Sequence, residues 1–417
     1  MKTLIPNVHI IDPQSPYHDS TMDILVVDGA ISAIGKQLDP QGAKRWELAS
    51  GRCISPGWID IRSQCGQPGN EERENYESLM ASAAHGGFTH VALLPTTNPV
   101  RDSRPHIEAL DHLVSKLPVK LLPLGSVTQG IKGVHLAEMQ DMLDAGAVGF
   151  TDDIGGLNNP QVLQLALEYS SNMGVAIQSM AYDNQLSPKG QAHEGAVAVH
   201  MGLSPIPSLA EVTRIQRDLA IHTYAGGRLH IANVSSMEGV DLIRQAKAAG
   251  STVTADVNIA NLVGTESDIA DFNSAYKTLP PLRSHADREA LWEGLNDGTL
   301  DIIAMDHRPM DIEHVDCEWG KAAFGIASLD HAFGWFREVH SNSKALGQWI
   351  EAVCHAPREL YGLGKCVINV GAPADFTLFA LDGSYDDWLT LGENRPDWSQ
   401  NGRAVGTMLG NSKHSNL

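Results

Sequence analysis

Residues 55–69 of the chain read SPGWIDIRSQCGQPG and contain the segment that decides the fold. The apolar-rich run PGWIDI ends near the carboxylate of Asp60, and a polar, glycine-containing loop follows. Gly66 allows the backbone to bend sharply in this loop. Because side chains alternate between the two faces of a strand, Asp60, Arg62 and Gln64 share one face. The pattern is typical of a barrel strand that carries side chains to the rim of a site.

Composition and charge restrict the class of protein. The chain has 417 residues, 42% of them hydrophobic, which is enough for one large barrel and a small additional domain. A net charge of −20 argues against nucleic acid or an anionic membrane as partner, because both bind basic surfaces. The five cysteines have no CxxC spacing, so neither a disulfide framework nor a zinc ribbon is expected. Since no signal pattern or membrane-length apolar run is present, we predict a cytoplasmic protein.

The middle of the chain alternates between short apolar runs and segments with helical periodicity. Strands are predicted at residues 56–60, 89–94, 119–125, 147–150, 175–178, 228–232, 252–257 and 301–305. Helices are predicted at residues 77–85, 107–115, 160–172, 236–249 and 284–295. Eight such units predict an α/β fold, a (β/α)8 TIM-like barrel over residues 55–365, with function at the C-terminal ends of its strands.

The two ends of the chain have a different pattern. Residues 1–54 and 366–417 contain short runs of alternating hydrophobicity, separated in the N-terminal part by turns at Asp12-Pro13 and Asp28-Gly29. We therefore predict one small β-sandwich domain built from both termini. Within the barrel, the polar stretches 182–208 and 307–321 are predicted to be mobile rim loops.

Six segments carry a resemblance to a known family. They are SPGWIDI, AAHGGFTHVALLPTTNPVRDS, GAVGFTDD, RLHIANVSS, LPPLRSHADREALWEGLNDGTLDIIAMDH and GAPADFTLF. In this order and spacing, the chain resembles the dihydroorotases of the amidohydrolase superfamily, specifically the type that associates with aspartate carbamoyltransferase. The resemblance implies a metal-dependent hydrolase barrel with one or two zinc ions that interconverts carbamoyl aspartate and dihydroorotate in pyrimidine synthesis. Because a fold does not by itself imply a function, each site position has to be compared.

The metal-ligand positions that the resemblance implies are only partly retained. Where active members carry two zinc-binding histidines on the first strand, this chain has Arg62 and Gln64, and Met180 replaces a further histidine. Arginine has no lone pair for a metal, and the methionine thioether is a soft ligand. The retained positions are Asp153, His230 and Asp306.

The retained residues allow two interpretations. In the first, Arg62 pairs with Asp153 or Asp306, both of which are then structural carboxylates, and Asp306 is a vestigial general base. His230 is then a hydrogen-bonded interior histidine, and no cofactor is expected. In the alternative, one zinc ion is held by Asp153, His230 and Asp306, with water as the fourth ligand.

The substrate-binding positions that the resemblance implies are also altered. The carboxylate-binding arginine of the family corresponds to Gly66, and two asparagines correspond to Thr96 and Leu279. Asn98, two residues after Thr96, is a candidate to compensate in part. A family histidine beyond the general base is Met310, whereas the backbone-contact pair Phe324-Gly325 is retained. Losing the charge-assisted hydrogen bonds of a carboxylate clamp costs about 1.5–3 kcal/mol for each bond.

Other reactive residue types receive simpler interpretations. His307 and His331 are expected to lie at the surface or behind the site. The run from His193 to Gly195 does not match a recognised metal spacing. Cys65 lies at the rim but has no visible base to activate it, so we expect a bystander.

Two functions are compatible with this pattern. The first is a catalytically degenerate dihydroorotase-like protein, resembling the inactive members of the family, that is a structural partner of aspartate carbamoyltransferase and/or a homo-oligomer. The second is an active zinc-dependent cyclic amidohydrolase with an altered, at most mononuclear site and Asp306 as its base. Neither requires nucleic acid or a membrane.

Overall fold

A computed structural model describes residues 1–40, 42–46, 51–111, 118–383 and 392–415. The strands are β1 (Lys2–Ile10), β2 (Ser20–Val27), β3 (Ala30–Gly35), β4 (Lys44–Arg45), β5 (Cys53–Pro56), β6 (Trp58–Ser63), β7 (Phe88–Leu93), β8 (Lys120–Gly125), β9 (Gly149–Thr151), β10 (Ala176–Met180), β11 (Ala192–His193), β12 (Pro205–Ile206), β13 (Arg228–Val234), β14 (Thr254–Asn258), β15 (Ile302–Ala304), β16 (Asp375–Ala380), β17 (Arg403–Leu409) and β18 (Ser412–Ser415).

The helices follow most of the barrel strands. They are α1 (Tyr76–Gly86), α2 (Arg104–Asp111), α3 (Met139–Asp144), α4 (Pro160–Ser171), α5 (Ala196–Met201), α6 (Leu209–Ala225), α7 (Met237–Ala248), α8 (Ile259–Val263), α9 (His285–Asp297), α10 (Ile312–Val315), α11 (Ala332–Val339), α12 (Ser343–Ile350) and α13 (Ala356–Tyr361), with a π-helical segment at Glu351–His355 between the last two. Short 3₁₀ turns lie at Gln129–Ile131, Asp153–Gly155, Glu266–Ile269 and Ser274–Tyr276.

Eight parallel strands form the barrel, in the spatial order β6, β7, β8, β9, β10, β13, β14, β15. The barrel closes where the backbone N–H of Gln64 donates to the carbonyl oxygen of His307 at 2.7 Å. Each predicted barrel strand overlaps one of these eight, in the same chain order. The predicted barrel fold is therefore confirmed.

Local capping explains why the helices begin and end where they do. The side chain of Asn75 accepts from the Ser78 backbone N–H to start α1, and Gly87, with φ 95°, ends it. Ser284 forms the equivalent capping box at the start of α9. The predicted helix at 107–115 begins earlier, at Arg104, and its residues 112–115 lie outside the described part of the chain.

Trp58 ties the first barrel strand to its surroundings. Its side chain is fully buried, and its indole N–H donates to the Ser55 hydroxyl at 2.9 Å. Its ring packs against Phe333 and Trp349, with centroids 4.8 and 5.3 Å away. Phe379 of β16 completes this aromatic contact at 5.5 Å. Aromatic packing thus fixes the strand that carries Arg62 to the helices and to the terminal sheet.

The chain termini join in a second, eight-stranded sheet. Its order is β18, β17, β16, β5, β1, β2, β3, with β4 paired to β1. The predicted additional domain built from both termini is therefore present, and hydrogen bonds connect its strands in one continuous path. Strand β5 extends to Pro56, past the predicted boundary at residue 54.

The two predicted rim loops contain short regular elements. Residues 182–208 include β11, α5 and β12, and residues 307–321 include α10. Across the described ranges, no helix combines the length and apolar character needed to cross a membrane.

Candidate functional site

A cluster of two arginines and two aspartates lies at the C-terminal ends of the barrel strands. Arg62 is on β6, Asp153 follows β9, and Asp306 and Arg308 follow β15. All four side chains are buried, and the Arg62 side chain is 0% exposed. We call these four residues the arginine–aspartate cluster. It occupies the end of the barrel where the sequence predicted a site.

Arg308 binds both carboxylates. Its Nη1 and Nη2 atoms donate to the two oxygens of Asp153 at 3.0 and 2.6 Å, which is a bidentate contact. Its Nε donates to Asp306 Oδ1 at 3.1 Å. Planar guanidinium groups suit this two-point recognition of a carboxylate.

Arg62 bridges the same two carboxylates from β6, the first barrel strand. Its Nη2 donates to Asp153 Oδ1 at 2.5 Å, and its Nε lies 3.4 Å from Asp306 Oδ1. The second oxygen of Asp306 accepts from the Asn258 amide at 3.2 Å. The expected pairing of Arg62 with these aspartates is therefore present.

Electrostatics favour the ionised form of the cluster. Burial opposes ionisation of Asp153, but Arg308 and Arg62 more than offset it and lower the pKa of Asp153 from 3.8 to about 2. Burial likewise opposes the charged form of Arg62, yet Asp153 and Asp306 raise its pKa above the usual value. Two cations and two anions balance, so the buried cluster is neutral as a whole.

Three residues around the cluster have positive φ angles. Asp153, Asn233 and Asp306 have φ angles of 49°, 57° and 45°, in the left-handed region that non-glycine residues rarely adopt. Among non-glycine residues, Asp and Asn adopt this region most readily, because their short polar side chains bond to nearby backbone groups. The three positions therefore suit their residue types.

His230 belongs to a different hydrogen-bonded group. Its Nδ1 lies 2.8 Å from the Thr254 hydroxyl and its Nε2 lies 2.8 Å from Asp256 Oδ2. The histidine is fully buried on β13, which agrees with the interior interpretation. Both ring nitrogens are therefore engaged away from Asp153 and Asp306.

The three retained ligand positions do not fit a zinc ion in this arrangement. Arginine N–H groups approach the oxygens of Asp153 and occupy one oxygen of Asp306, and His230 is bonded elsewhere. Within the described ranges, no group of three or more His, Cys, Asp or Glu side chains is placed to hold a metal. A guanidinium also repels a cation, by about 4 kcal/mol for two unit charges 4 Å apart at an effective dielectric of 20.

Two of the substituted positions contribute to an apolar cluster beside the ion pairs. Met180 and Leu279 pack with Tyr182, and Phe324 lies against this group. The Met180 sulfur is 3.8 Å from Nη2 of Arg62, so the apolar cluster adjoins the arginine–aspartate cluster. Positions that carry zinc or substrate ligands in the family pattern are thus occupied here by packed apolar side chains.

The first-strand loop has lost room for the family arginine. A Cβ atom at Gly66 would lie 2.0 Å from the carbonyl oxygen of Asn70, so a side chain there requires the loop to move. Gln64 instead donates to the Thr96 hydroxyl at 3.3 Å. Two substituted positions of the family pattern therefore contact each other.

The segment after β15 packs over the cluster. The Met310 backbone N–H donates to the Asn394 side chain at 2.8 Å, and the Met310 side chain is buried. A Cβ at Gly325 would lie 2.7 Å from Arg308 Cβ, which explains why glycine is needed there. The Lys277 ammonium lies 4.7 Å from the Phe324 ring centroid and donates to the Ala322 carbonyl at 2.7 Å.

Sequence reasoning placed several residues wrongly or overlooked them. His307 and His331, expected near the surface or behind the site, are both fully buried. The Nε2 atom of His307 lies 3.0 Å from Oε2 of Glu74. Of the two expected locations for His307, the one behind the site is therefore correct and the surface one is wrong. Arg308 was not predicted, although a single arginine could not have neutralised two buried carboxylates.

The remaining reactive residues have structural environments. Cys65 is buried, which raises the pKa of its thiol, and its sulfur lies 3.6 Å from the Glu74 carbonyl. Burial lowers the pKa of His193 to about 4, and its Nδ1 lies 3.3 Å from Arg283. Neither arrangement resembles an activated nucleophile or a metal site.

Comparison with known proteins supplies the family. A family model described as dihydro-orotase-like matches residues 51–239. The chain is 38% identical to a dihydroorotase of Pelotomaculum thermopropionicum over 92% of this chain and 90% of that protein. It is 35% identical to a dihydroorotase of Syntrophotalea carbinolica over 98% of each chain.

Solved structures agree on the fold. An L-hydantoinase (dihydropyrimidinase) from Arthrobacter aurescens superposes with a TM-score of 0.85 at 24% identity, covering 99% of this chain and 96% of that one. A D-hydantoinase gives 0.82 at 19% identity, covering 99% and 95%. At 24% and 19% identity, the solved structures show a shared fold only. The sequence relatives, at 38% and 35% identity over more than nine-tenths of the chain, show the family. The chain belongs to the dihydroorotase family of the amidohydrolase superfamily.

Proposed function

We propose that this chain is a non-catalytic member of the dihydroorotase family that acts as a structural partner of aspartate carbamoyltransferase. The observation that carries the proposal is the arginine–aspartate cluster. Arg62 and Arg308 bring two positive charges to Asp153 and Asp306, and those charges stand in for the metal charge that the family pattern implies.

The charge balance supports this replacement. Two buried carboxylates without a cation would carry a large desolvation cost, whereas the two guanidinium groups neutralise and hydrogen-bond them. A zinc ion would have to displace both arginines from Asp153, and the interior around them is packed. The substitutions thus neutralise the two buried carboxylates and occupy oxygens that a zinc ion would need as ligands.

The altered substrate pocket gives independent support. A negatively charged substrate needs a cation that is free to bind it, but both arginines of the cluster are already engaged by aspartates. Leu279 and Met180 add apolar surface where the family pattern has polar groups. An unpaired carboxylate next to this surface would lose its hydrogen bonds to water without replacement.

A non-catalytic chain has to act by binding, and the resemblance suggests the partner. The sequence resembles the dihydroorotases that associate with aspartate carbamoyltransferase, and the barrel and terminal sheet are retained although the chemistry is not. Retention of fold with loss of ligands is the pattern expected of a scaffold subunit.

Two measurements on the purified chain test the proposal. Dihydroorotase activity is measured with added zinc, using the Pelotomaculum relative as the active control. Complex formation with the aspartate carbamoyltransferase of the same organism is measured by size-exclusion chromatography with light scattering. We expect no hydrolase activity above background and a stable complex.

Each half of the proposal can fail separately. Zinc-dependent hydrolysis of dihydroorotate or of another cyclic amide would establish the alternative, an active amidohydrolase. If the two proteins elute separately and the transcarbamoylase activity is unchanged by this chain, the partnership is wrong.

A further inference from the structure

Residues 311–325, which follow β15, form a compact loop at the C-terminal end of the barrel, and we call this loop the lid segment. The Ala323 backbone N–H donates to the His314 carbonyl at 3.0 Å, so the loop folds back on itself. Its base is closed by the Arg308 backbone N–H, which donates to the Ile326 carbonyl at 2.9 Å. Such a loop can open as one unit without unfolding the strands beneath it.

The lid segment has a buried side toward the candidate site and an exposed side toward solvent. Phe324 lies against the apolar cluster that adjoins the arginine–aspartate cluster. At Gly325 the backbone approaches Arg308 so closely that a Cβ atom would lie 2.7 Å from Arg308 Cβ. The side chains of Glu318 and Lys321, in contrast, are 78% and 73% exposed. The lid segment therefore lies between the arginine–aspartate cluster and solvent.

A buried lysine in the connection between β14 and α9 contacts the lid segment. The Lys277 side chain is 3% exposed, and its ammonium donates to the carbonyl oxygens of Trp319 and Ala322 at 2.5 and 2.7 Å. The same ammonium lies 5.5 and 4.7 Å from the ring centroids of Trp319 and Phe324. The Lys277 backbone carbonyl accepts from the Gly325 N–H at 2.8 Å. Side chain and backbone of Lys277 thus hold the second half of the lid segment.

The environment of Lys277 makes these contacts necessary. Within the described ranges, no carboxylate lies within ion-pair distance of its ammonium, and burial lowers the pKa of Lys277 from 10.5 to about 8. Trp319 and Ala322 are themselves buried, and in the described part of the chain their carbonyl oxygens accept from no other group. Because buried carbonyls without a donor are unfavourable, removal of the amine would favour an open lid segment in which water binds them.

A second contact holds the first half of the lid segment. The Ser274 hydroxyl donates to the Val315 carbonyl at 2.7 Å. Ser274 begins the 3₁₀ turn Ser274–Tyr276, which directly precedes Lys277. One short stretch of chain, residues 274–277, therefore contacts both halves of the lid segment.

We propose that the lid segment opens as a unit and that Lys277 is the residue that holds it closed over the arginine–aspartate cluster. In the closed state the Lys277 amine satisfies two carbonyl groups that have no other donor. In the open state the amine and both carbonyls are hydrated, and water reaches Arg308 and Asp153. The inference does not depend on the proposed function, because the same contacts would hold a lid over a catalytic barrel.

Opening of the lid segment is measured on the full chain by limited digestion with trypsin. Cleavage after Lys321 is followed by mass spectrometry, because this exposed side chain lies on the lid segment. A protease needs an extended backbone, so the cleavage rate follows the population of the open form. Amide hydrogen exchange in residues 311–325 is measured alongside, with exchange in β13 as the report on global unfolding.

Three variants are compared with the wild type. Lys277→Met keeps the length of the side chain but removes its charge and its donors, and Ser274→Ala removes the second contact. Lys247→Met is the matched control, since Lys247 on α7 also donates to a backbone carbonyl, that of Gly298 at 3.0 Å, outside the lid segment. Circular dichroism verifies that each variant is folded.

We expect Lys277→Met to raise the rate of cleavage after Lys321 about tenfold or more, and to speed exchange in the lid segment but not in β13. Ser274→Ala should act in the same direction with a smaller effect, and Lys247→Met should be cleaved like the wild type. Wild-type cleavage and exchange in Lys277→Met would overturn the proposal, and so would equal acceleration of exchange in the lid segment and β13. If Lys277→Met does not fold, Ser274→Ala decides: faster exchange confined to the lid segment supports the proposal, and unchanged exchange overturns it.

Discussion

Replacing Arg308 with methionine is expected to lower the free energy of unfolding by about 3–5 kcal/mol, the usual cost of removing one partner from a buried ion pair. Methionine keeps much of the side-chain volume but removes the charge and all donors. Asp153 then keeps only Arg62 as a cationic partner, and Asp306 keeps Asn258 and the longer contact to Arg62.

The magnitude follows from the contacts that are lost. Arg308 donates three hydrogen bonds to carboxylates, at 2.6, 3.0 and 3.1 Å. Charge-assisted hydrogen bonds contribute about 1.5–3 kcal/mol each to the free energy of unfolding. The variant no longer pays the desolvation cost of a buried guanidinium, which offsets part of that sum. After the substitution, the two buried carboxylates share one guanidinium, so one buried negative charge has no balancing cation. The expected loss in free energy of unfolding therefore stays large.

The assay is urea unfolding followed by circular dichroism, with Arg104→Met as the matched control. Arg104 also contacts two carboxylates, Glu108 at 2.7 Å and Asp141 at 3.1 Å, but its side chain is 41% exposed. Solvent screening limits the loss there to about 0–1 kcal/mol. The double variant Arg308→Met with Asp153→Asn should recover part of the stability, because no unpaired charge is left.

An Arg308→Met protein as stable as the Arg104→Met control would refute the reasoning. It would mean that the two aspartates are neutralised by something other than the guanidinium groups, a bound metal ion being the first candidate.

Three further predictions concern the same region. Because Asp153 has a folded-state pKa of about 2 against an ordinary 3.8, its contribution of roughly 2 kcal/mol is present above pH 4 and lost as the pH falls toward 2. Other carboxylates become protonated in the same range, so urea titrations should show the wild type losing about 2 kcal/mol more than Asp153→Asn. Gly66→Ala should lower the thermal midpoint, because its Cβ would meet the Asn70 carbonyl at 2.0 Å, whereas Gly347→Ala, with its nearest neighbour at 3.8 Å, should not; equal midpoints would be incompatible with the packed loop. Leu279→Asn, which restores the family residue, should cost about 2–5 kcal/mol in urea unfolding because it buries an amide in the apolar cluster, while Leu165→Asn at an exposed position should cost far less.

The fold was predictable from the sequence because its signals are local. Each barrel strand is a short apolar run followed by a polar break, and each predicted strand overlaps an observed one. Helix ends were marked by residues such as Ser284 and Gly87, which act through their immediate neighbours. Eight repeats of one local pattern were sufficient to specify the barrel.

Features that depend on distant parts of the chain were not predictable. His307 is polar and lies in a polar segment, yet it is buried because the barrel closes at this residue against β6. The joining of the two termini was predicted from their shared strand pattern, but the individual strand partners, such as β5 and β16, more than 300 residues apart, were not. Neither the barrel closure at His307 nor this choice of partner strands leaves a mark in the local sequence pattern.

The candidate site was predicted in part. Substitutions at Arg62 and Met180 indicated that the metal positions had changed, and pairing of Arg62 with the aspartates followed from charge alone. Arg308 was overlooked because the comparison with the family centred on Met310, two residues further along. Counting charges would have found it, since two buried carboxylates need two cations.

The most direct test of the arginine-filled site is the zinc content of the purified chain. Protein prepared from zinc-supplemented cells without chelators is analysed by inductively coupled plasma mass spectrometry, beside the Pelotomaculum dihydroorotase prepared in the same way. We predict zinc far below one ion per chain, unchanged after dialysis against a chelator. One or more tightly held zinc ions per chain would contradict the replacement of the metal by Arg62 and Arg308.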